Sequence, residues 1–248
     1  IVTSQIEHKC ILVICNYLER SGYKVTYVNP DDRGLITKEV INKAITDRTA
    51  LVSIMHVNNE LGTINPIEEI GRLCCENEIL FHSDAAQSLC KVPIDVDKQN
   101  IDIMSFSAHK IGGPKGIGAI YIRDLRTNPI HPVIHGAGQE EGLRGGTVAA
   151  PLIQGFGAAL THFSKYYLDF ESTNIKDYLT NELTKNKITY FVNGTDALPH
   201  VVSLTLPETD TESLIVANAD RLCLAQGSAC SSKTMQPSHV LKAVGLSS

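Results

Sequence analysis

The chain has 248 residues, 43% hydrophobic and 20% charged, enough to bury a sizeable core in one large domain or two smaller ones. A net charge of -5 with no Lys/Arg run argues against a general nucleic-acid surface, so no direct nucleic-acid partner is expected. Apolar runs such as Cys10 to Cys15 and Ile117 to Ile122 fall far short of the roughly 20 residues of a membrane span, and no basic flank followed by an apolar stretch marks a secretory signal.

In chain order, Ile36, Val40, Ile41, Ala44 and Ile45 recur at helical spacing, and Ala50 to His56 then reads as a buried strand. This is the βαβ rhythm of a parallel sheet. Asn65-Pro66-Ile67-Glu68 opens the next helix, with Asn65 at the N-cap, Pro66 at the first helical position and Glu68 placed to close a capping box; the helix runs to about Asn77. An apolar strand from Ile79 stops abruptly at Asp84, and two further strands, Asp102 to Ser107 and Ile117 to Arg123, flank a loop that carries Lys110. The glycines between Gly112 and Gly118 are wrongly spaced for a dinucleotide fingerprint and are interrupted by Pro114; they are expected to let the backbone pack closely around the loop.

From about Pro151 a long helix carries Leu152, Ile153, Phe156, Ala159 and Leu160 on one side. A polar helix (Ile175 to Leu183), strands near Ile188 to Val192 and Val201 to Leu206, a helix from Thr211 to Ala219 and another starting near Pro237 complete the chain. The expected architecture is an α/β large domain, residues 1–160, with a mainly parallel sheet, and a small α+β domain, residues 161–248. No Pro-, Gly- or Ser-rich linker marks the boundary near Thr161.

Chemistry concentrates in Ser105 to Lys115, which sets Lys110 just past a buried strand among small polar residues. An amine attacks an aldehyde only when unprotonated, so a Schiff-base lysine needs partial desolvation and a nearby cation or dipole; His109 and Lys115 are candidate neighbours. Alone, Ser-x-His-Lys also fits a phosphate site or an ordinary strand end. Asp84, at the carboxyl end of a parallel strand, points into the crevice where open α/β sheets bind ligands. There it suits the anion that keeps a pyridinium protonated, or else caps a following helix.

The seven cysteines are Cys10, Cys15, Cys74, Cys75, Cys90, Cys223 and Cys230; their number is odd, no CxxC pair occurs, and reduced thiols are expected. Of Cys74 and Cys75, one should be core and the other semi-exposed, while Cys15 sits amid Leu, Val and Ile as a structural residue does. Cys230 differs: Gly227, Ser228, Ser231 and Ser232 surround it with small residues, and Lys233 can help lower its thiol pKa. The remaining histidines show no metal-ligand spacing, so no metal is assigned. Asn193-Gly194-Thr195 reads as a turn.

Six ordered segments together resemble the cysteine desulfurases of the NifS/IscS type, class V aminotransferases among the fold-type-I, aspartate aminotransferase-like enzymes. They are Ile6-Glu-His-Lys9, Met55-His-Val-Asn-Asn-Glu-Leu-Gly62, His82-Ser-Asp-Ala-Ala-Gln87, Ser105 to Gly118, Gly138 to Thr147 and Gly227-Ser-Ala-Cys-Ser-Ser232. The resemblance implies pyridoxal 5'-phosphate as cofactor, attached to Lys110, with Asp84 on the pyridine nitrogen, His8 stacked over the ring and shuttling protons, and Asn59 and Gln87 on the phenolic oxygen. Ser107 and His109 would grip the phosphate, and Thr147 the phosphate of the neighbouring subunit of a homodimer. Cys230 would be the nucleophile that takes sulfur from L-cysteine, leaving L-alanine and an enzyme persulfide for an acceptor such as an iron-sulfur scaffold, a tRNA thiolation enzyme or a DNA-modification system.

The alternatives are selenocysteine lyase activity and a non-catalytic sulfur-assembly partner. A cytoplasmic setting is expected, with an organelle left open. The resemblance further implies that the sequence lacks the family's N-terminal Gly-rich helix start and the C-terminal segment whose arginine binds the substrate carboxylate.

Overall fold

The structure is a computed structural model describing residues 1–126, 130–171, 174–194, 197–207, 209–225 and 238–246. Its centre is a six-stranded sheet in the order β2-β1-β3-β4-β5-β6. The strands are β1 (Val2–Ser4), β2 (Thr26–Val28), β3 (Leu51–Ser53), β4 (Leu80–Asp84), β5 (Ile103–Ser107) and β6 (Gly118–Ile122). The first five run parallel, and β6 closes one edge antiparallel to β5, pairing Ser107 with Gly118 and Ile103 with Ile122. This is the mainly parallel α/β sheet that the alternation of segments predicts. A second, two-stranded sheet pairs β7 (Phe191–Val192) with β8 (Leu204–Thr205).

The strand order reverses between β1 and β3: β2 lies on one side of β1, and β3 to β6 continue on the other. Such a switch point opens a crevice beyond the carboxyl ends of the strands, because the connections leave in opposite directions. The chain leaves β1 into Ile6, Glu7 and His8 and leaves β3 toward Asn58 and Asn59, so both segments border that crevice.

Helices α1 (Lys9–Arg20), α2 (Lys38–Ala44) and α3 (Ile67–Glu76) connect the parallel strands. The α3 helix buries Ile67, Ile70, Leu73 and Cys74 against a core that includes Phe81, Val52, Ile54 and Met104, while Cys75 is exposed; the division expected for the two cysteines is present. The entry to α3 departs from the capping-box expectation. Pro66, not Asn65, is the N-cap and makes no side-chain cap bond. Asn65 spans two distant segments instead, accepting from Ile36 N at 2.9 Å and donating to Met55 O at 2.8 Å, while Glu68 pairs with Lys98 at 3.0 Å and with Arg72. Buried backbone groups with no other partner outcompete a local cap. The same bond holds Ile36 outside α2, which starts after Thr37, whose hydroxyl accepts from Val40 N.

Helix α4 (Ala150–Glu171) is the long helix predicted from Pro151, but its apolar side is narrower than expected. Phe156 is buried and packs with Ala108 and Ile111, joined by Ala159 and Phe163, whereas Ile153 and Leu160 face outward. The helix packs on the lysine turn rather than on the main sheet, and a 3-10 turn offers room for only a narrow stripe. Helices α5 (Ile175–Lys185), α6 (Thr211–Ala217) and α7 (His239–Ala243) fall where the polar and C-terminal helices were expected. Asp210 caps α6 and Ser238 caps α7. No helix among the described residues is long and apolar enough to cross a membrane.

Candidate active site

The loop after β1 is built around Glu7, which is fully buried. Its Oε1 accepts from Ser4 Oγ at 2.7 Å and from Met55 N at 3.0 Å, tying the end of β1 to the segment after β3. Burial pushes the carboxyl up to about 8, with the nearby Asp84 charge adding to the shift and the two donors opposing it. Glu7 is therefore a neutral acid at pH 7. Next to it, the exposed His8 is the N-cap of α1, its Nδ1 accepting from Cys10 N at 3.3 Å, which fixes one ring edge and leaves the other toward solvent.

Asn58 secures the second loop. Its amide donates to Ile6 O at 2.9 Å, and its oxygen accepts from Glu60 N and Leu61 N. With the loop fixed by its neighbour, Asn59 carries a buried Oδ1 with no partner among the described residues. A buried polar atom without a partner costs of order 1–3 kcal/mol, so this amide is poised for a ligand.

Asp84 ends β4, nearly buried, and its Oδ1 accepts from Ala86 N at 2.8 Å. The residues after it form turns over 86–91 rather than a helix, so the reading of Asp84 as a helix cap does not hold; it closes a tight turn that also carries the half-buried Gln87. The backbone around Asp84 is stitched on both sides, from His56 N to Asp84 O at 3.0 Å and from Ala85 N to Ser105 O at 2.9 Å. Below it on the same face, His82 bridges strands, its Nδ1 bonded to Ser53 Oγ at 2.8 Å and its Nε2 to Ser105 Oγ at 3.3 Å. The Asp84 charge also raises the Cys10 thiol, after burial.

Lys110 lies on a 3-10 turn, Ala108–Ile111, that leaves β5 directly after Ser107. Ser107 Oγ and His109 Nδ1 share a 2.8 Å hydrogen bond, and both His109 and Lys110 are exposed. Partial desolvation, then the charges of Lys110 and Lys115, lower the His109 pKa from its ordinary value. Gly112 ends the turn at φ +76°, and a Cβ at Gly118 would meet Phe106 O at 2.4 Å, so these glycines do permit the close packing expected of them. From the other side α4 braces the turn: a Cβ at Gly155 would meet Pro114 Cγ at 2.6 Å.

The carboxyl ends of β1, β3, β4 and β5 thus bring the His8, Asn59, Asp84–Gln87 and Ser107–Lys110 segments to one edge of the sheet. Thr147 is exposed on the stretch leading into α4, away from these strand ends in the chain. Cys230, Lys233 and the small residues around them lie outside the described residues. Sequence reasoning missed four residues here: Glu7, Asn58, His82 and Lys91. Burial, then the Lys110 charge, lowers Lys91 to about 8, and its ammonium sits 5.6 Å from the Phe163 ring centroid. Glu7 and Asn58 each stand beside a singled-out residue, but only their contacts distinguish them from surface polar groups.

A doubly connected parallel sheet with a lysine turn, a strand-end carboxylate and polar loops at its switch point defines an α/β enzyme fold of the aspartate aminotransferase-like class. The family model described as Aminotransferase class-V matches residues 1–247, and the chain belongs to that family. It is similar to "Cysteine desulfurase IscS" of Plasmodium falciparum (isolate 3D7), 44% identical over 100% of this chain and 45% of the relative. To "Cysteine desulfurase, mitosomal" of Encephalitozoon cuniculi it is 46% identical over 99% and 57%, respectively. Among solved structures, "SspA in complex with cysteine" superposes with a TM-score of 0.85 at 46% identity, covering 99% of this chain and 69% of that one. "NIFS-LIKE PROTEIN" gives a TM-score of 0.85 at 35% identity, covering 99% and 65%. The chain spans about half the length of the curated relatives it matches.

Proposed function

We propose that this chain is part of a pyridoxal 5'-phosphate-dependent cysteine desulfurase that removes sulfur from L-cysteine, giving L-alanine and a persulfide on Cys230. The observation that carries the reading is the sheet edge itself, where Lys110, Asp84, His8 and the unpartnered buried oxygen of Asn59 belong to four adjacent strand ends. The residues fit the cofactor. Lys110 supplies the amine that holds it, Asp84 a carboxylate for the ring nitrogen, Asn59 and Gln87 amides for the ring oxygen, and Ser107 and His109 donors for the phosphate. When bound, pyridoxal phosphate supplies an electron sink for negative charge at the substrate α-carbon.

The chain's own groups do the rest. Asp84 would hold the proton on the ring nitrogen, and Glu7, which burial keeps neutral at pH 7, adds no second negative charge there. Lys110 or His8 takes the α-proton; with His8 Nδ1 accepting from Cys10 N, the neutral ring bears its proton on Nε2, the atom that can return one to carbon. The Cys230 thiolate attacks the substrate sulfur: an S–S bond forms, the Cβ–S bond breaks with its electron pair left on carbon, and one proton added at Cβ and one returned to Cα complete alanine.

The partner reading is a homodimer in which Thr147 reaches the neighbouring subunit's phosphate. The exposed apolar residues Val13, Ile14 and Tyr17 on α1, and Val133 at 93% exposure, support a covering surface. The sulfur acceptor is an iron-sulfur scaffold or a tRNA thiolation enzyme, in the cytoplasm or an organelle. The division into domains 1–160 and 161–248 belongs to the same proposal; α4 runs across that boundary and would carry the two parts on one rigid element.

The test is incubation with pyridoxal phosphate, borohydride reduction and peptide mass spectrometry. An adduct confined to Lys110, absent from Lys110→Ala, is expected, and in the full-length protein L-cysteine should yield alanine and a Cys230 persulfide. A Cys230→Ser variant that desulfurates at the parent rate would sink the assignment of the nucleophile. A full-length protein that takes up no cofactor would favour the non-catalytic reading.

A further inference from the structure

Ser238 follows Cys230 by eight residues, and it is where α7 begins. Its side chain is buried and does two things: the hydroxyl oxygen accepts from Val240 N at 3.0 Å as the α7 cap, and its proton goes to Glu60 Oε2. One residue on, His239 Nε2 donates to the backbone oxygen of Glu7 at 3.0 Å. Val240 then enters the main core at 1% exposure, with Leu241, Ala243 and Val244 packed against that core.

The acceptors are placed where they matter. Glu60 is the residue after Asn59 and Glu7 the residue before His8, so these two polar contacts at the start of α7 fall on the two loops that flank the switch point. These bonds join residues 178 and 232 positions apart. We propose that Ser238, His239 and Glu60 form a latch, a set of positioning residues that fixes the exit of the cysteine segment to the loops bearing His8 and Asn59. The proposal rests on the function argued above.

The latch draws its strength from charge and from the burial of Ser238. A hydroxyl on a carboxylate is a charge-assisted hydrogen bond, and breaking it takes the acceptor away from the buried Ser238 hydroxyl. Ser238 is eight residues from Cys230, a span of at most roughly 29 Å, so the latch fixes the near end of the connection to the proposed nucleophile. It also couples Ser238 to any shift of the Asn59 loop, since Glu60 moves with that loop.

The test uses the full-length enzyme loaded with pyridoxal phosphate and compares Glu60→Ala, His239→Phe and the conservative Ser238→Thr. Three readouts are taken: cofactor content by absorbance, hydrogen exchange of the amides of 240–244, and single-turnover appearance of persulfide on Cys230 by mass spectrometry. In Glu60→Ala and His239→Phe, cofactor content should stay at the parent level, the α7 amides should exchange faster, and persulfide formation should slow at least roughly tenfold. Ser238→Thr, which keeps the hydroxyl and the cap, should match the parent. Unchanged exchange and transfer in Glu60→Ala would overturn the latch, as would a Glu60→Ala protein that loses cofactor first, since Glu60 would then act through Asn59. A parent enzyme that makes no persulfide overturns the proposed function and the latch's role together; a competent parent with matching variants overturns the latch alone.

Discussion

At the scale of single residues, the decisive groups work in adjacent pairs, one member facing the crevice and the other holding the backbone. His8 is carried by Glu7, and Asn59 by Asn58. Glu7→Ala would leave Ser4 Oγ and Met55 N without their buried acceptor and should cost roughly 2–4 kcal/mol of stability in urea unfolding at pH 4.5, where the parent carboxyl is protonated at little cost. Glu7→Gln keeps an acceptor for both donors and removes only the titration, so it should fold normally. Both outcomes follow from contacts 3 and 48 residues apart in sequence, which no local pattern reveals. The placement of Asp84 and Lys110 was legible, because an apolar run that ends in a lone polar residue marks a strand terminus. The role of Asn65 was not: its Asn-Pro setting matches a helix start, and only the tertiary arrangement shows its amide spent on Ile36 and Met55.

At the scale of elements, the lysine turn is held between β6 and α4. The Gly155 position has no room for a methyl group against Pro114, whose ring cannot swing away. Gly155→Ala should push α4 from the turn, at a cost of roughly 1–3 kcal/mol, and should weaken cofactor uptake. A thermal melt paired with a cofactor titration checks both; an unchanged melt with normal uptake would show that α4 only covers the turn. Helix periodicity found α4 but overestimated its buried face, since Ile153 and Leu160 point outward at 46% and 41% exposure. Apolar residues on a helix identify the faces that can be covered, and the neighbour decides which of them are.

At the scale of the whole molecule, two buried groups shape the dependence of stability on pH. Burial lowers His56 to about 4, from 6.5, so its contribution is complete above pH 6.5 and is lost as pH falls through 4. Glu7 is raised to about 8, from 4.5, so its contribution is complete below pH 4.5 and is lost as pH rises through 8. Between 4.5 and 6.5 those two slopes cancel, and the half-buried His200, likewise lowered to about 4, leaves stability rising with pH. From pH 6.5 to 8 Glu7 acts alone and stability should fall by about 2 kcal/mol. Glu7→Gln should abolish that fall and be more stable than the parent at pH 7 by about 3 kcal/mol, because the parent must take up a proton to fold. Urea midpoints measured from pH 4.5 to 8.5 decide this; parallel curves for parent and variant would show that Glu7 is ionised when folded.

By itself the sequence determined the alternating α/β order, the strands that end at Asp84 and before Lys110, and the small-residue setting of Cys230. These are properties of nearest neighbours and of periods 2 and 3.6, which any stretch of chain carries within itself. Only the tertiary structure decided that the strand order reverses between β1 and β3, that Glu7 is buried beside Asp84, and that α7 returns to Glu60 and Glu7 from the far end of the chain. Those facts depend on burial and on partners many residues away, where the cost of an unpaired polar group, rather than any local preference, selects the arrangement.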